Sequence, residues 1–198
     1  MYFFSGYERD GGNGINIFFG NGKAFSDFLW PHRQAEGLMN LSWFLVFCSS
    51  FIAMEFNAWA LHKYVMHGHL WFVHQDHHQP VEGRKYQLND AFAIFFAVPS
   101  FLFILFDSLK GIPLLGACGY GIMAYGACYF LVHEVIIHRR WKLFNLRKIA
   151  YFEALNAAHK IHHSILEKEG ASNFGMLIVP LSYFTDSIRR MKNRKHKV

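Results

Sequence analysis

Charge is scarce in this chain of 198 residues: Lys, Arg, Asp and Glu make up 17% of it, against roughly a quarter in ordinary soluble domains. Cysteine is scarcer still. Cys48, Cys118 and Cys128 all lie in apolar stretches, form no CxxC pair and come as an odd number, which excludes a disulfide framework and a cysteine metal site. They read as small apolar core residues. No GxGxxG loop occurs, so the sequence offers no nucleotide-binding turn. The first residues lack the basic start and long apolar core of a signal peptide. With no low-complexity tract and no solenoid period, a disordered tail protein, a coiled coil and a collagen-like chain are excluded.

What is present points to a membrane. Hydrophobic residues make up 53% of the chain and include 22 Phe, yet the mean hydropathy is only +0.11, because polar residues are segregated rather than absent. Residues 39–61 carry one charge, Glu55; residues 91–106 carry none, and neither do residues 111–132. Each run approaches the 20 or so apolar residues a span requires. The link between the second and third, Asp107 to Ile112, is too short for anything but an antiparallel hairpin. A fourth apolar stretch, Phe174 to Phe184, has 11 residues with Pro180 inside, too short to cross as a helix, and is expected at the interface or capping the bundle.

Lys63, Arg84 and Lys85 follow the first run, and Arg139, Arg140, Lys142, Arg147 and Lys148 follow the third. The basic run RRMKNRKHK closes the chain, whereas the hairpin link offers Lys110 alone. Because basic loops stay on the cytoplasmic side, those ends are expected inside and the N terminus outside. Three parts are expected: an N-terminal extension over residues 1–38, Gly/Asn-rich and aromatic, with Met39 as an alternative start; a membrane domain over 39–185; and a basic tail over 186–198. The expected fold is all-α, a membrane bundle of about three spans plus an interfacial helix. Basic residues that directly follow spans argue for lipid and topology rather than nucleic acid.

The chain has 13 His against 14 Asp plus Glu. Ten fall into four boxes: His62 and His67 in HKYVMH, His74, His77 and His78 in HQDHH, His133 and His138 in HEVIIH, and His159, His162 and His163 in HKIHH. HxxxxH followed by HxxHH therefore occurs twice, each time starting at the same end of a span. His32, His69 and His196 fit no box. On a regular helix the HxxHH positions lie within one face, so the three rings are expected to converge on metal. HxxxxH leaves its two rings roughly 140° apart; either the helix ends or bulges between them, or they serve different ions. Gly68, directly after His67, suits a helix that stops there. Ten imidazoles exceed what one ion takes, which implies two ions with about four or five nitrogens each. Imidazole alone does not choose among Zn, Cu, Fe and Ni.

The four boxes, with the words HKYVMHG, LNDAFA, YFLVHE, HRRW, AHKIHH and KEG followed by FGM, resemble the bacterial β-carotene hydroxylases of the membrane-bound fatty acid hydroxylase and sterol desaturase superfamily. The resemblance covers about residues 39–185. It implies a dimetal site on the cytoplasmic face, in a non-haem di-iron monooxygenase that uses O2 to hydroxylate C3 of a β-ionone ring, taking β-carotene through β-cryptoxanthin to zeaxanthin. It also implies that the ten box histidines are iron ligands. Glu134 departs from the family, which usually has Asp there.

The chemistry needs an apolar slot, for which the Phe residues of 92–106 are candidates. It also needs carboxylates to accept the outer N–H of the ligating rings, for which Asp76, Glu134 and Glu55 are candidates. Two electrons per turnover must come from a separate carrier. Arg139, Arg140, Lys142, Arg147 and Lys148 form a face to which an acidic ferredoxin-type donor would be steered. Hydroxylation of a fatty acyl chain, a sterol or another carotenoid is the competing enzyme reading. A metal transporter or sensor is the competing reading of another class, and it would place its ligands in mid-span rather than at span ends.

Overall fold

The computed structural model describes residues 4–9, 15–19, 37–84, 86–143, 146 and 148–195. His32, Lys85, Arg147 and His196 lie outside the described residues. The charge-poor run from residue 37 forms α1 (Gly37–Ala60), which continues in π-helical form over Leu61–His69 and is broken at Gly68 (φ −113°, ψ −115°). A short helix, α2 (Trp71–His78), follows. After a loop and a 3₁₀ turn over Leu88–Ala91 the chain enters α3 (Phe92–Lys110). Next come α4 (Pro113–Phe130), a second π-helical stretch over Leu131–Ile137, α5 (Ala150–His163) and α6 (Leu181–Lys195).

Three helical stretches are long and apolar enough to cross a membrane: Asn40–His69, Leu88–Lys110 and Pro113–Ile137. The protein is thus an integral membrane protein, and each expected span extends a few residues further than its apolar run. The hairpin link is tighter than the sequence suggested. Gly111 ends α3 in the left-handed conformation (φ 67°, ψ 49°) with its N–H on the Asp107 carbonyl, and Pro113 opens α4 at its first turn, as the helix-stop and helix-start preferences of Gly and Pro require.

Lipid tails are as apolar as Leu, so spans associate through close packing rather than hydrophobic burial. α4 supplies it. A third of its apolar window is buried, against 11% for each of the other two spans, which makes α4 the central helix. A Cβ on Gly121 would stand 2.5 Å from the Phe47 carbonyl oxygen of α1, and one on Gly119 would stand 2.9 Å from the Ser100 carbonyl oxygen of α3. Ser100 Oγ in turn donates to the Gly119 carbonyl at 2.9 Å. Met54, Ala58, Ile122 and Tyr125 make a small core between α1 and α4, with Phe51, Phe96 and Phe103 against it.

Two departures from expectation stand out. The all-α reading holds from residue 37 onward, but Phe4–Arg9 and Ile15–Phe19 form an antiparallel two-stranded hairpin, β1 and β2. Aromatic and β-branched residues flanking the Gly-rich stretch at 11–14 favour strands. Further on, residues 164–180 have no helix or strand, and a helix begins only at Leu181, immediately after Pro180. Helix α6 therefore takes in most of the residues expected to form a basic tail. It is tied to α5 by Arg190 Nε and Arg194 Nη2, 3.4 and 2.9 Å from the buried carboxylate of Glu153.

Candidate metal centre

All ten box histidines meet at one end of the bundle, eight of them buried and His138 and His163 partly so. They separate into two groups of five. His62, His67, His74, His78 and His162 form the first, and His77, His133, His138, His159 and His163 the second; within each, one nitrogen per ring lies within 4.8 Å of all the others. Exposed His69 joins neither.

The π-helical stretches resolve the HxxxxH problem. A π turn closes on the residue five positions back, as the bonds from Leu70 N–H to the Val65 carbonyl (2.8 Å) and from His138 N–H to the His133 carbonyl (2.9 Å) show. Residues five apart thereby come onto one face. His62 and His67 reach the same group, and so do His133 and His138, as a bulged helix allows.

The HxxHH expectation needs correction. The first and last rings of each box serve one group and the middle ring serves the other: His74 and His78 join the first group while His77 crosses to the second, and His159 and His163 join the second while His162 crosses to the first. On a regular helix, positions i+3 and i+4 lie about 100° apart, on either side of i. That angle suits two centres better than one.

Distances between ring nitrogens fit a shared centre. Nε2 atoms stand 3.2 Å apart for His62 and His74, 3.1 Å for His67 and His78, and 3.3 Å for His67 and His162. In the second group they stand 3.1 Å apart for His77 and His133, and 2.8 Å for His138 and His159. Two nitrogens bound at right angles to one ion, each about 2.1 Å away, would be about 3.0 Å apart.

Seven rings donate Nδ1–H outward, which turns the Nε2 lone pair inward. The acceptors in the first group are the carbonyls of Phe174 (His62, 3.0 Å), Lys168 (His67, 3.0 Å), Ile165 (His78, 2.9 Å) and Ser172 (His162, 2.8 Å), and Asn89 Oδ1 (His74, 2.6 Å). In the second they are Gln87 Oε1 (His77, 2.9 Å) and Glu134 Oε1 (His133, 2.7 Å). His163 Nε2 is buried with no hydrogen-bond partner among the described residues. Burial, then the repulsion of neighbouring rings, pushes His138 and His163 down to about 2 and holds His77 and His159 well below the usual histidine range. Burial likewise takes His74 to about 2, His162 to about 3 and His78 to about 4 despite their outward hydrogen bonds. At neutral pH these rings are uncharged and free to ligate. Ten imidazoles in two fives fit a pair of borderline transition-metal ions.

Of the three carboxylates expected to accept histidine N–H, Glu134 does. Asp76 instead caps the backbone N–H of Leu88 (2.5 Å) and Asn89 (3.4 Å), so it acts on His74 through Asn89. Among the described residues Glu55 meets no histidine; it accepts Tyr125 O–H and main-chain N–H groups of residues 176–178. Asn89, Gln87 and the carbonyls of 165–174 were not anticipated. The capping box of Gln87 and Asp90 is the one local sign that residues 87–90 are held rigidly.

Arg140 is also corrected. Rather than forming part of an outer face, its guanidinium turns inward, pairing with both oxygens of Asp90 (2.7 and 2.8 Å) and with Glu134 Oε2 (2.8 Å). Exposed Lys142 and Lys148 remain at the surface. Arg147 lies outside the described residues, and Arg139 Nε is buried without a partner.

An apolar cavity of about 660 Å³ opens beside the first group, with His62 in its wall. Phe92, Phe95, Phe96 and Phe101 line it; Phe103 and Phe106, also expected there, do not. Tyr129 and Phe174 complete the apolar side, and Asp90, Glu134 and Arg140 form a polar end.

Comparison with known proteins agrees with this geometry. A family model described as fatty acid hydroxylase matches residues 47–186. A beta-carotene hydroxylase of Pantoea ananas is 40% identical over 129 residues, covering 65% of this chain and 73% of the relative. Another, of Pseudescherichia vulneris, is 38% identical over 133 residues, covering 67% and 74%. Beta-carotene hydroxylase 1 of Capsicum annuum chloroplasts is 36% identical over 133 residues, covering 65% and 41%. No solved structure matches. The family match spans well over half of the chain and contains all ten box histidines, and the chain belongs to the fatty acid hydroxylase family.

Proposed function

We propose that this protein is a β-carotene 3-hydroxylase, an O2-dependent di-iron monooxygenase that converts β-carotene through β-cryptoxanthin to zeaxanthin. The observation that carries the reading is the pair of five-histidine groups, the first of which puts His62 into the wall of an apolar cavity, in a chain similar to proteins named for that substrate. His62, His67, His74, His78 and His162 would hold one iron, and His77, His133, His138, His159 and His163 the other. When bound, the two irons supply O2 activation, one oxygen atom entering a ring C–H bond and the other leaving as water, with two electrons and two protons consumed.

The chain's own residues do the rest. Phe92, Phe95, Phe96, Phe101 and Tyr129 give a hydrocarbon ring an apolar, water-poor seat whose wall includes His62. Helices α1, α3 and α4 leave large apolar side chains exposed on their outer faces, among them Ile52, Phe56, Ile94 and Met123, so substrate arrives from the bilayer rather than through water. Arg140 pairs with both Asp90 and Glu134, and Glu134 keeps His133 oriented. Electrons arrive from a ferredoxin-type carrier on the basic side, at Lys142, Lys148 and Arg139 rather than at the inward-turned Arg140. The positive-inside pattern puts that face, and the site, in the cytoplasm.

Expression in a β-carotene-accumulating bacterial cell, followed by pigment chromatography, tests reaction and substrate together. Zeaxanthin and β-cryptoxanthin are expected, and each single box His→Ala change is expected to abolish them. Unchanged β-carotene in aerobic cells with an active electron carrier would overturn the reading.

A further inference from the structure

The two histidine groups take their orientation from different parts of the chain. In the first, four of five rings donate to main-chain carbonyls of one irregular segment: Ile165, Lys168, Ser172 and Phe174. In the second, the acceptors seen for His77 and His133 are the side chains of Gln87 and Glu134. The segment from 164 to 180 has no regular secondary structure to hold those carbonyls in place. A long unstructured connection inside a compact domain needs fastening from elsewhere.

Gln79 and Tyr151 donate to the segment's Leu166 and Leu177 carbonyls (both 2.7 Å), and Glu55 fastens its successive N–H groups. The Glu55 carboxylate accepts N–H from Met176 (2.9 Å), Leu177 (3.1 Å) and Ile178 (3.0 Å), and O–H from Tyr125 (2.7 Å). It is the one charged residue in residues 40–62, and a charge on a membrane helix is costly unless well partnered; four donors, three of them successive main-chain N–H groups, partner it. Glu55 stands seven residues before His62, about two turns along the same helix face. Gly175 permits the crossing, because a Cβ there would lie 2.7 Å from the Ile178 carbonyl oxygen and 3.2 Å from Glu55 Oε1.

We propose that Glu55 is a positioning residue that fastens segment 164–180 over the first histidine group and so sets that group's affinity for its ion, leaving the second group untouched. The two ions are then gained and lost separately. This inference rests on the dimetal reading above.

The test is a metal-binding cycle on the full chain in nanodiscs, using ferrous iron under anaerobic, iron-buffered dialysis. His163→Ala leaves the first group intact and His78→Ala leaves the second. Adding Glu55→Gln is expected to weaken iron binding about tenfold in the His163→Ala background, within the range for outer hydrogen-bond partners of ligating histidines, and to change it less than twofold in the His78→Ala background. Equal weakening in both backgrounds, as a merely structural role would give, or no change in either, overturns the proposal. Tyr125→Phe, which removes one donor and leaves the carboxylate, is expected to repeat the one-sided weakening to a smaller degree and serves where Glu55→Gln does not accumulate. Wild-type protein that binds fewer than two irons per chain overturns the dimetal reading itself.

Discussion

Arg140 shows how much a single side chain ties together. One guanidinium holds Asp90, whose own carboxylate accepts the Gln87 N–H, and Glu134, which holds His133. Gln87 and Asn89, on the same short turn, orient His77 and His74. Arg140 therefore steadies outer contacts of both histidine groups. Replacing it with Gln leaves two carboxylates facing each other at the polar end of the cavity, with Glu134 nearly buried. Hydroxylated pigment formation by Arg140→Gln is expected to fall about 10- to 100-fold, whereas Lys142→Gln, at an exposed neighbour, should leave the rate at saturating donor unchanged. Loss of equal size in both would return Arg140 to the outer face. From the sequence, HRRW showed only charge next to a span; the direction in which Arg140 turns depends on Asp90, 50 residues away, and no local pattern reveals that.

At the scale of elements, the spans and the histidine boxes were legible because each is a matter of spacing along one helix. The misfit of HxxxxH with a regular helix left a helix end, a bulge or separate ions open, and the structure has two π-helical stretches there. The sharing of rings between HxxHH boxes was present in the same arithmetic, in the 100° between the third and fourth positions, but reads as two centres only once a partner box faces it. Segment 164–180 was not legible, because it acts through carbonyls, which every residue carries. The glycines of α4 give the packing a test. A methyl at Gly121 would meet the α1 backbone, while one at Gly126 meets nothing within 4 Å and enters the cavity wall. Gly121→Ala is therefore expected to lower the thermal unfolding midpoint in detergent, since overpacking typically costs about 1–3 kcal/mol. Gly126→Ala should leave that midpoint unchanged and shift the ratio of mono- to dihydroxylated pigment instead. Equal midpoints for the two variants would show that α1 and α4 are not in close register at Gly121.

Taken whole, the molecule is a duplicated pattern brought face to face. Each HxxxxH ends a span and each HxxHH follows on a separate helix, so exchange of the middle rings ties the two halves at one membrane face. The first span, Asn40–His69, has 30 residues and would measure about 45 Å as regular helix, well beyond the roughly 30 Å of hydrocarbon. That excess leaves length enough for the histidine end to stand in the headgroup region, as the proposed protein carrier requires. The α3–α4 turn, with exposed Lys110, lies at the opposite end of those helices. The basic residues follow the histidine end, and the proposed cytoplasmic placement of that end rests on this pattern. Single cysteines read this directly with a membrane-impermeant maleimide, scored above the parent protein, whose three cysteines lie within the spans, none of them fully exposed. Lys110→Cys is expected to label in intact cells, and Lys192→Cys, exposed on α6, only after the membrane is opened. The reverse pattern would place the histidine groups outside, beyond reach of a cytoplasmic electron carrier, and would require reductant from the other side of the membrane.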